Sequence, residues 1–155
     1  MDIKVVSKAQ TKELAKVVAS VIKQNKKPAS VLLNGNLGAG KTTFSKYLIN
    51  HIFGFHSNKL KVVSPSFGVV KNYSLKNKTL NHIDLYRINS ATELENLGMQ
   101  ELLQNSICII EWAEKLEGVE IASDFFDIYI NLDYNNIRTF SIKGSLLKNF
   151  NFSNF

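Results

Sequence analysis

The nine residues Gly35-Asn36-Leu37-Gly38-Ala39-Gly40-Lys41-Thr42-Thr43 follow the apolar run Val31-Leu32-Leu33. A core strand, a glycine-rich turn and a helix start in this order match G-x-x-x-x-G-K-[ST], a loop whose backbone N–H groups turn inward around phosphate oxygens. Gly35 and Gly40 stand at the two ends of the pattern, where the absence of a Cβ lets the chain curl into an anion nest. Lys41 can then reach the β- and γ-phosphates, Thr42 can place its hydroxyl on Mg²⁺, and the helix beginning there offers its positive end. Gly35, Gly38 and Gly40 do not fall on G-x-G-x-x-G spacing, so the dinucleotide fingerprint fails. The motif predicts triphosphate binding and leaves the base unspecified.

A chain of 155 residues, 45% apolar and 21% charged, suits one compact domain around a single core. That domain is expected over residues 1–147, with 148–155, rich in Asn, Phe and Ser, as a loosely held tail. The net charge of +6 is mostly lysine and dispersed. It fits an acidic partner such as RNA, and equally ordinary solubility. The single cysteine, Cys108, lies in an apolar run and reads as a buried thiol in a reducing compartment. Met1-Asp2-Ile3-Lys4 lacks the apolar region of a signal peptide and no apolar run approaches spanning length, so a cytoplasmic protein without a membrane partner is expected.

Ser7-Lys8-Ala9-Gln10 is a capping box, and Leu14, Val17, Val18, Val21 and Ile22 recur behind it at helical spacing, predicting a helix over 8–24. The helix after the loop carries Phe44, Leu48 and Ile52 on one face and stops near Gly54. A short strand is expected at Lys61-Val62-Val63, and residues 67–74 and 79–85 alternate like a hairpin. Ser90-Ala91-Thr92-Glu93 caps a short helix ended by Gly98, with more helix from Met99 to Gln104. Ile107-Cys108-Ile109-Ile110 reads as a parallel strand buried on both faces. Residues 126–132 and 139–143 alternate as a last antiparallel pair. The fold class predicted is α/β: a single P-loop NTPase-like three-layer domain with a mixed, largely parallel central sheet and antiparallel hairpin strands at the edges.

A phosphate loop needs a metal-side acid and a group to orient the attacking atom. Glu111, at the end of the buried apolar run, is the candidate on the metal side, the alternative being a strand-end surface glutamate beside a core Trp112. Asp84 in His82-Ile83-Asp84-Leu85-Tyr86-Arg87 is the second acid, with Arg87 close by to orient it, to meet phosphate or to form an ordinary salt bridge. Ser64-Pro65-Ser66-Phe67 reads either as a γ-phosphate sensor or as a plain turn. His51, His56 and His82 lack metal-ligand spacing and receive no role.

Taken together, Gly35 to Phe44, Ser64-Pro65-Ser66-Phe67, His82-Ile83-Asp84-Leu85-Tyr86-Arg87 and Glu111-Trp112-Ala113-Glu114 resemble, in order and spacing, the TsaE (YjeE) family of small bacterial ATPases in tRNA threonylcarbamoyladenosine biosynthesis. The resemblance covers residues 1 to about 145. It implies ATP and Mg²⁺ as cofactors, TsaD and TsaB as partners, tRNA met through that complex, and no DNA. It carries the nucleotide to Thr11, Gly38, Ala39, Gly40, Lys41, Thr42, Thr43 and Trp112, the metal to Thr42 and Glu111, catalytic work to Lys41 and Glu111, and catalytic or switching work to Asp84. Two departures stand out. Ser-Pro-Ser replaces the commoner Ser-Pro-Thr, and Asn136 stands where the late strand usually has arginine, with Arg138 two residues on.

The expectation is a Mg²⁺-dependent ATPase of low intrinsic turnover. ATP is favoured over GTP because Asn77-Lys78-Thr79-Leu80 lacks the aspartate of N-K-x-D. A nucleotide-regulated RNA-binding module is the alternative from another class, although no aromatic-basic stacking platform is visible. A small-molecule P-loop kinase is disfavoured, with two arginines and no insertion long enough for a lid.

Overall fold

The computed structural model describes residues 1–54, 61–65, 68–75, 78–121 and 124–150. Seven strands form one sheet: β1 (Asp2–Val5), β2 (Ala29–Asn34), β3 (Val70–Leu75), β4 (Lys78–Asp84), β5 (Ile107–Glu111), β6 (Asp124–Leu132) and β7 (Arg138–Lys143). Their spatial order is β1-β7-β6-β2-β5-β4-β3. The inner four strands are parallel, while β3 and the β7–β1 pair run antiparallel at the two edges. This is the three-layer P-loop NTPase-like arrangement that the sequence predicts.

The helices begin where local chemistry allows. At α1 (Lys8–Gln24) the Ser7 hydroxyl accepts the Gln10 N–H at 3.2 Å, and the Gln10 side chain takes the Val6 N–H at 2.8 Å. The same device opens α3 (Ala91–Asn96), where Ser90 accepts the Glu93 N–H at 3.3 Å. Between them in sequence lies α2 (Lys41–Ile52), and α4 (Met99–Asn105) follows α3 directly. Each of these spans agrees with its expected bounds to within a residue or two.

Alternation along β2 and β5 sorts the core into two layers. Val31, Leu33 and Ile109 face α1 and α2 with Leu14, Val18, Phe44 and Leu48. Leu32, Cys108 and Ile110 face α3 and α4 with Leu94, Met99 and Leu103. Covering β6 and β7 on one face only leaves Phe126, Ile128, Ile130, Phe140 and Ile142 buried, whereas Tyr129 on the other face is 46% exposed.

Local structure departs from the sequence reading at residues 61–65 and at β1, while the hairpin pairs as expected over its described residues. Residues 61–65 form no strand, although Val62 is buried and the Tyr73 hydroxyl donates to the Val63 carbonyl at 3.5 Å. The hairpin pairs Val70 with Ile83 through Leu75 with Lys78, and its expected start at Phe67 and tip at Lys76 and Asn77 lie outside the described residues. At the other edge β1, which has no motif of its own, pairs Asp2–Val5 with Arg138–Ser141 and buries Ile3 and Val5. Beyond β7, residues 145–149 form a short 3-10 helix, and Phe150 is buried with its ring edge-on to Phe126 at 6.1 Å. Among the described residues no helix is long and apolar enough to cross a membrane.

Candidate active site

In an open α/β sheet, ligands bind outside the carboxyl ends of the parallel strands. Here β2, β5 and β4 end side by side, with Leu33 in register with Glu111 and Glu111 in register with Asp84. Asp84 and Glu111 therefore leave neighbouring strands at one level and on one face. Ile109, two residues before Glu111, packs toward α1 and α2, so both carboxylates point to the side on which α2 begins.

The loop from β2 to α2 fits its space through two glycines. A Cβ on Gly35 would stand 2.3 Å from the Ile130 carbonyl oxygen, because the loop runs hard against β6. Gly40 caps α2 with φ +114°, a conformation that L side chains rarely adopt. Between them Ala39 is buried, and its carbonyl accepts the Arg138 Nε–H at 2.9 Å. Arg138 thus braces the loop from β7.

Lys41 is buried at the start of α2. Its ammonium donates to the carbonyls of Gly35 and, at 3.0 Å, Asn36, and stands 3.6 Å from the centroid of the Trp112 ring. Burial pushes the Lys41 pKa below the usual lysine value, while the charges of Glu114, Glu111 and Asp84 oppose that shift. The next residue, Thr42, donates its hydroxyl to Glu111 Oε2 at 2.7 Å. The other oxygen of Glu111 lies 2.8 Å from His82 Nε2, in a pair buried on both sides.

Asp84 is held as firmly. Its Oδ2 accepts the Ser64 hydroxyl at 2.9 Å, its Oδ1 accepts the Tyr86 N–H at 3.1 Å, and its own N–H donates to the Val69 carbonyl at 2.9 Å. Val69 and Trp112 both adopt left-handed backbone, with φ of 58° and 60°. Such geometry costs on the order of 1–3 kcal/mol for a non-glycine residue, and here it occurs at the residue bonded to Asp84 and at the one after Glu111. In this conformation the Trp112 ring reaches both Lys41 and Tyr86, whose ring centroid is 5.0 Å away.

These groups surround a cavity of about 410 Å³. Of the residues singled out from the sequence, Gly38, Gly40, Lys41, Thr42 and Thr43 line its loop side. Asp84, Glu111 and Trp112 line the opposite wall together with Arg87. Ala39 lies beneath the loop, and Thr11 lies outside the lining with its hydroxyl on the Ser7 carbonyl at 3.1 Å. Ser66 falls outside the described residues. The hydroxyl of Thr42 beside one carboxylate is a hard oxygen donor set that suits Mg²⁺, a cation that keeps waters and phosphate oxygens in its remaining positions. Among the described residues there is no cluster of three His, Cys, Asp or Glu side chains suited to a metal, so any cation here relies on those other ligands.

Sequence reasoning missed His82, Arg138 and the ring pair of Tyr86 and Trp112. For His82 a signal existed: it precedes Asp84 by two residues on an alternating strand and so shares its face. The positions of Arg138 and Tyr86 depend on packing between distant segments.

A family model described as threonylcarbamoyl adenosine biosynthesis protein TsaE matches residues 5–140. A Rickettsia felis protein named tRNA threonylcarbamoyladenosine biosynthesis protein TsaE is 43% identical over 105 residues, which are 68% of this chain and 58% of that protein. Its namesake in Rickettsia typhi is 38% identical over 138 residues, 88% of this chain and 90% of the relative. The crystal structure of YdiB from Bacillus subtilis superposes with a TM-score of 0.67 at 25% identity, covering 97% of this chain and 88% of that one. The chain belongs to the TsaE family, whose members take part in the biosynthesis of threonylcarbamoyladenosine in tRNA.

Proposed function

We propose that this chain is a Mg²⁺-dependent ATPase that serves threonylcarbamoyladenosine modification of tRNA together with TsaD and TsaB, in the cytoplasm. The observation that carries the reading is the 2.7 Å contact between the Thr42 hydroxyl and Glu111, made one residue after the buried Lys41 at the end of a phosphate loop. A hydroxyl, a carboxylate and a lysine meeting at the start of one helix are the protein's share of a metal–triphosphate site.

Turnover in such a site is mostly positioning and charge stabilisation. The loop N–H groups and the α2 N-terminus hold the phosphates, and Lys41 turns its ammonium from the loop carbonyls to the β- and γ-oxygens. Thr42 and Glu111 would hold the cation, which would supply positive charge against the negative charge of the phosphates. Asp84, fixed by Ser64 and the Tyr86 N–H, orients the attacking water and accepts its proton at the carboxylate. Trp112 and Tyr86 wall the cavity against bulk water.

The test is ATP hydrolysis by the purified chain, alone and with TsaB, TsaD and tRNA. Expected results are slow turnover alone, acceleration in the assembly, and loss of hydrolysis in Lys41→Ala and Glu111→Ala, with the lysine variant also losing nucleotide affinity in calorimetry. Full turnover by Glu111→Ala, or no heat of Mg·ATP binding to folded protein, overturns the reading.

A further inference from the structure

We infer that His82 is a positioning residue for Glu111: its imidazole, protonated at Nε2, holds Oε1 of the carboxylate so that Oε2 stays aimed at Thr42 and the cation position. This rests on the metal role given to Glu111 above.

Both partners are almost completely shielded from water, His82 at 0% and Glu111 at 1% exposure. As the carboxylate that its metal role requires, Glu111 only accepts hydrogen bonds: Oε2 takes the Thr42 hydroxyl, and Oε1, 2.8 Å from His82 Nε2, takes the ring N–H. The other ring nitrogen agrees. Nδ1 is buried without a hydrogen-bond partner among the described residues. Moving the proton to Nδ1 would leave an N–H there without an acceptor and set the Nε2 lone pair against the carboxylate oxygen, two unsatisfied groups in place of one. The packing therefore selects the tautomer that can hold the carboxylate.

Geometry adds the reason for such a clamp. Glu111 is the last residue of β5 and is followed by Trp112 in a left-handed turn, so the backbone beyond it gives no regular strand support. A glutamate side chain has three rotatable bonds, and two oxygens pinned from opposite sides leave one orientation. His82 sits on the adjacent strand two residues before Asp84, which places the clamp and the second acid on a single rigid element. Groups that orient a metal-binding side chain in this way typically govern metal affinity by about 10–100-fold.

The experiment compares His82→Leu, His82→Gln and Glu111→Ala in the full chain. The glutamine amide reproduces the Nε2 donor; leucine fills the space without it. His82→Leu is expected to raise the Mg²⁺ concentration for half-maximal hydrolysis about 10–100-fold while kcat at saturating Mg²⁺ stays within a few-fold. Affinity for ATP in EDTA is expected to be unchanged, and His82→Gln to restore most of the Mg²⁺ response. Long-range ¹⁵N–¹H spectra of the wild type without metal or nucleotide are expected to show the Nε2-protonated ring, with its signals displaced in Glu111→Ala. An unchanged Mg²⁺ requirement in a folded His82→Leu, a glutamine variant as impaired as the leucine one, or an Nδ1-protonated ring overturns the inference. If Glu111→Ala itself leaves the Mg²⁺ requirement unchanged, the metal role of Glu111 falls, and the spectra still decide whether His82 holds that carboxylate.

Discussion

The Lys41 ammonium lies 3.6 Å from the centroid of the ring of Trp112, the chain's single tryptophan. A cation over an indole face gains about 0.5–2 kcal/mol, far less than the same ammonium gains from a desolvated triphosphate. The nucleotide is therefore expected to draw Lys41 off the ring, and a titration with Mg·ATP should change Trp112 emission in a saturable way. The same titration of Lys41→Ala should leave the emission flat. A wild-type signal that does not respond, in protein shown by calorimetry to bind, would separate the ring from the nucleotide site.

The Ser64 hydroxyl reaches across twenty residues to Asp84 Oδ2. A hydrogen bond to a charged acceptor is worth about 1.5–3 kcal/mol, and in this position it fixes the direction of the carboxylate rather than the hold on phosphate. Ser64→Ala is expected to lower kcat by roughly tenfold or more and to change the affinity for Mg·ATP by less than about threefold. Steady-state kinetics paired with calorimetry separates the two quantities. Equal losses in both would place Ser64 on the phosphate itself.

Gly35 and Gly38 both have positive φ, +130° and +80°, yet only Gly35 is pressed against another strand. An alanine Cβ at Gly35 meets the Ile130 carbonyl at 2.3 Å, backbone against backbone, while at Gly38 nothing stands within 4 Å. Gly38→Ala should cost about 1 kcal/mol of left-handed strain. Gly35→Ala should cost roughly 2 kcal/mol or more, since β6 or the loop has to shift. At about 2–4 °C per kcal/mol for a domain of this size, thermal melts resolve the two. Equal melting temperatures would mean that the loop and β6 part without cost.

These contrasts also mark what the amino-acid order makes legible. Ser7 and Ser90 announce their helices because a capping box is local, and α1 runs over the predicted span. The phosphate loop is legible because its glycine, lysine and threonine fall at a fixed spacing within nine residues, even though the contacts that fix them reach β5 and β6. Asp84 and Glu111 can be picked out as strand-end acids, but that they stand level depends on the register between β4 and β5, which no local pattern encodes. β1 is the extreme case: four residues whose Ile3 and Val5 gain burial only after β7 is in place. His82 went unassigned for a related reason, since its partner is 29 residues away.

Cys108 provides a test of the core that does not depend on nucleotide. It lies on β5 at 0% exposure, and burial pushes its thiol pKa up, opposed by hydrogen bonds with Ser106 and Asn81. The folded chain thus keeps the thiol proton at a pH where the unfolded chain has lost it. The sign follows: this contribution is complete below the ordinary thiol value of about 8.5 and declines as pH rises through it toward the folded value. Melting temperatures of wild type and Cys108→Ala should therefore converge as pH rises from about 8 to 10, the wild type losing the larger share. In parallel, a disulfide reagent at pH about 8 should leave the native thiol untouched and titrate one thiol per chain in denaturant. Rapid modification of the native protein would show that β5 opens to solvent, and with it the strand that carries Glu111.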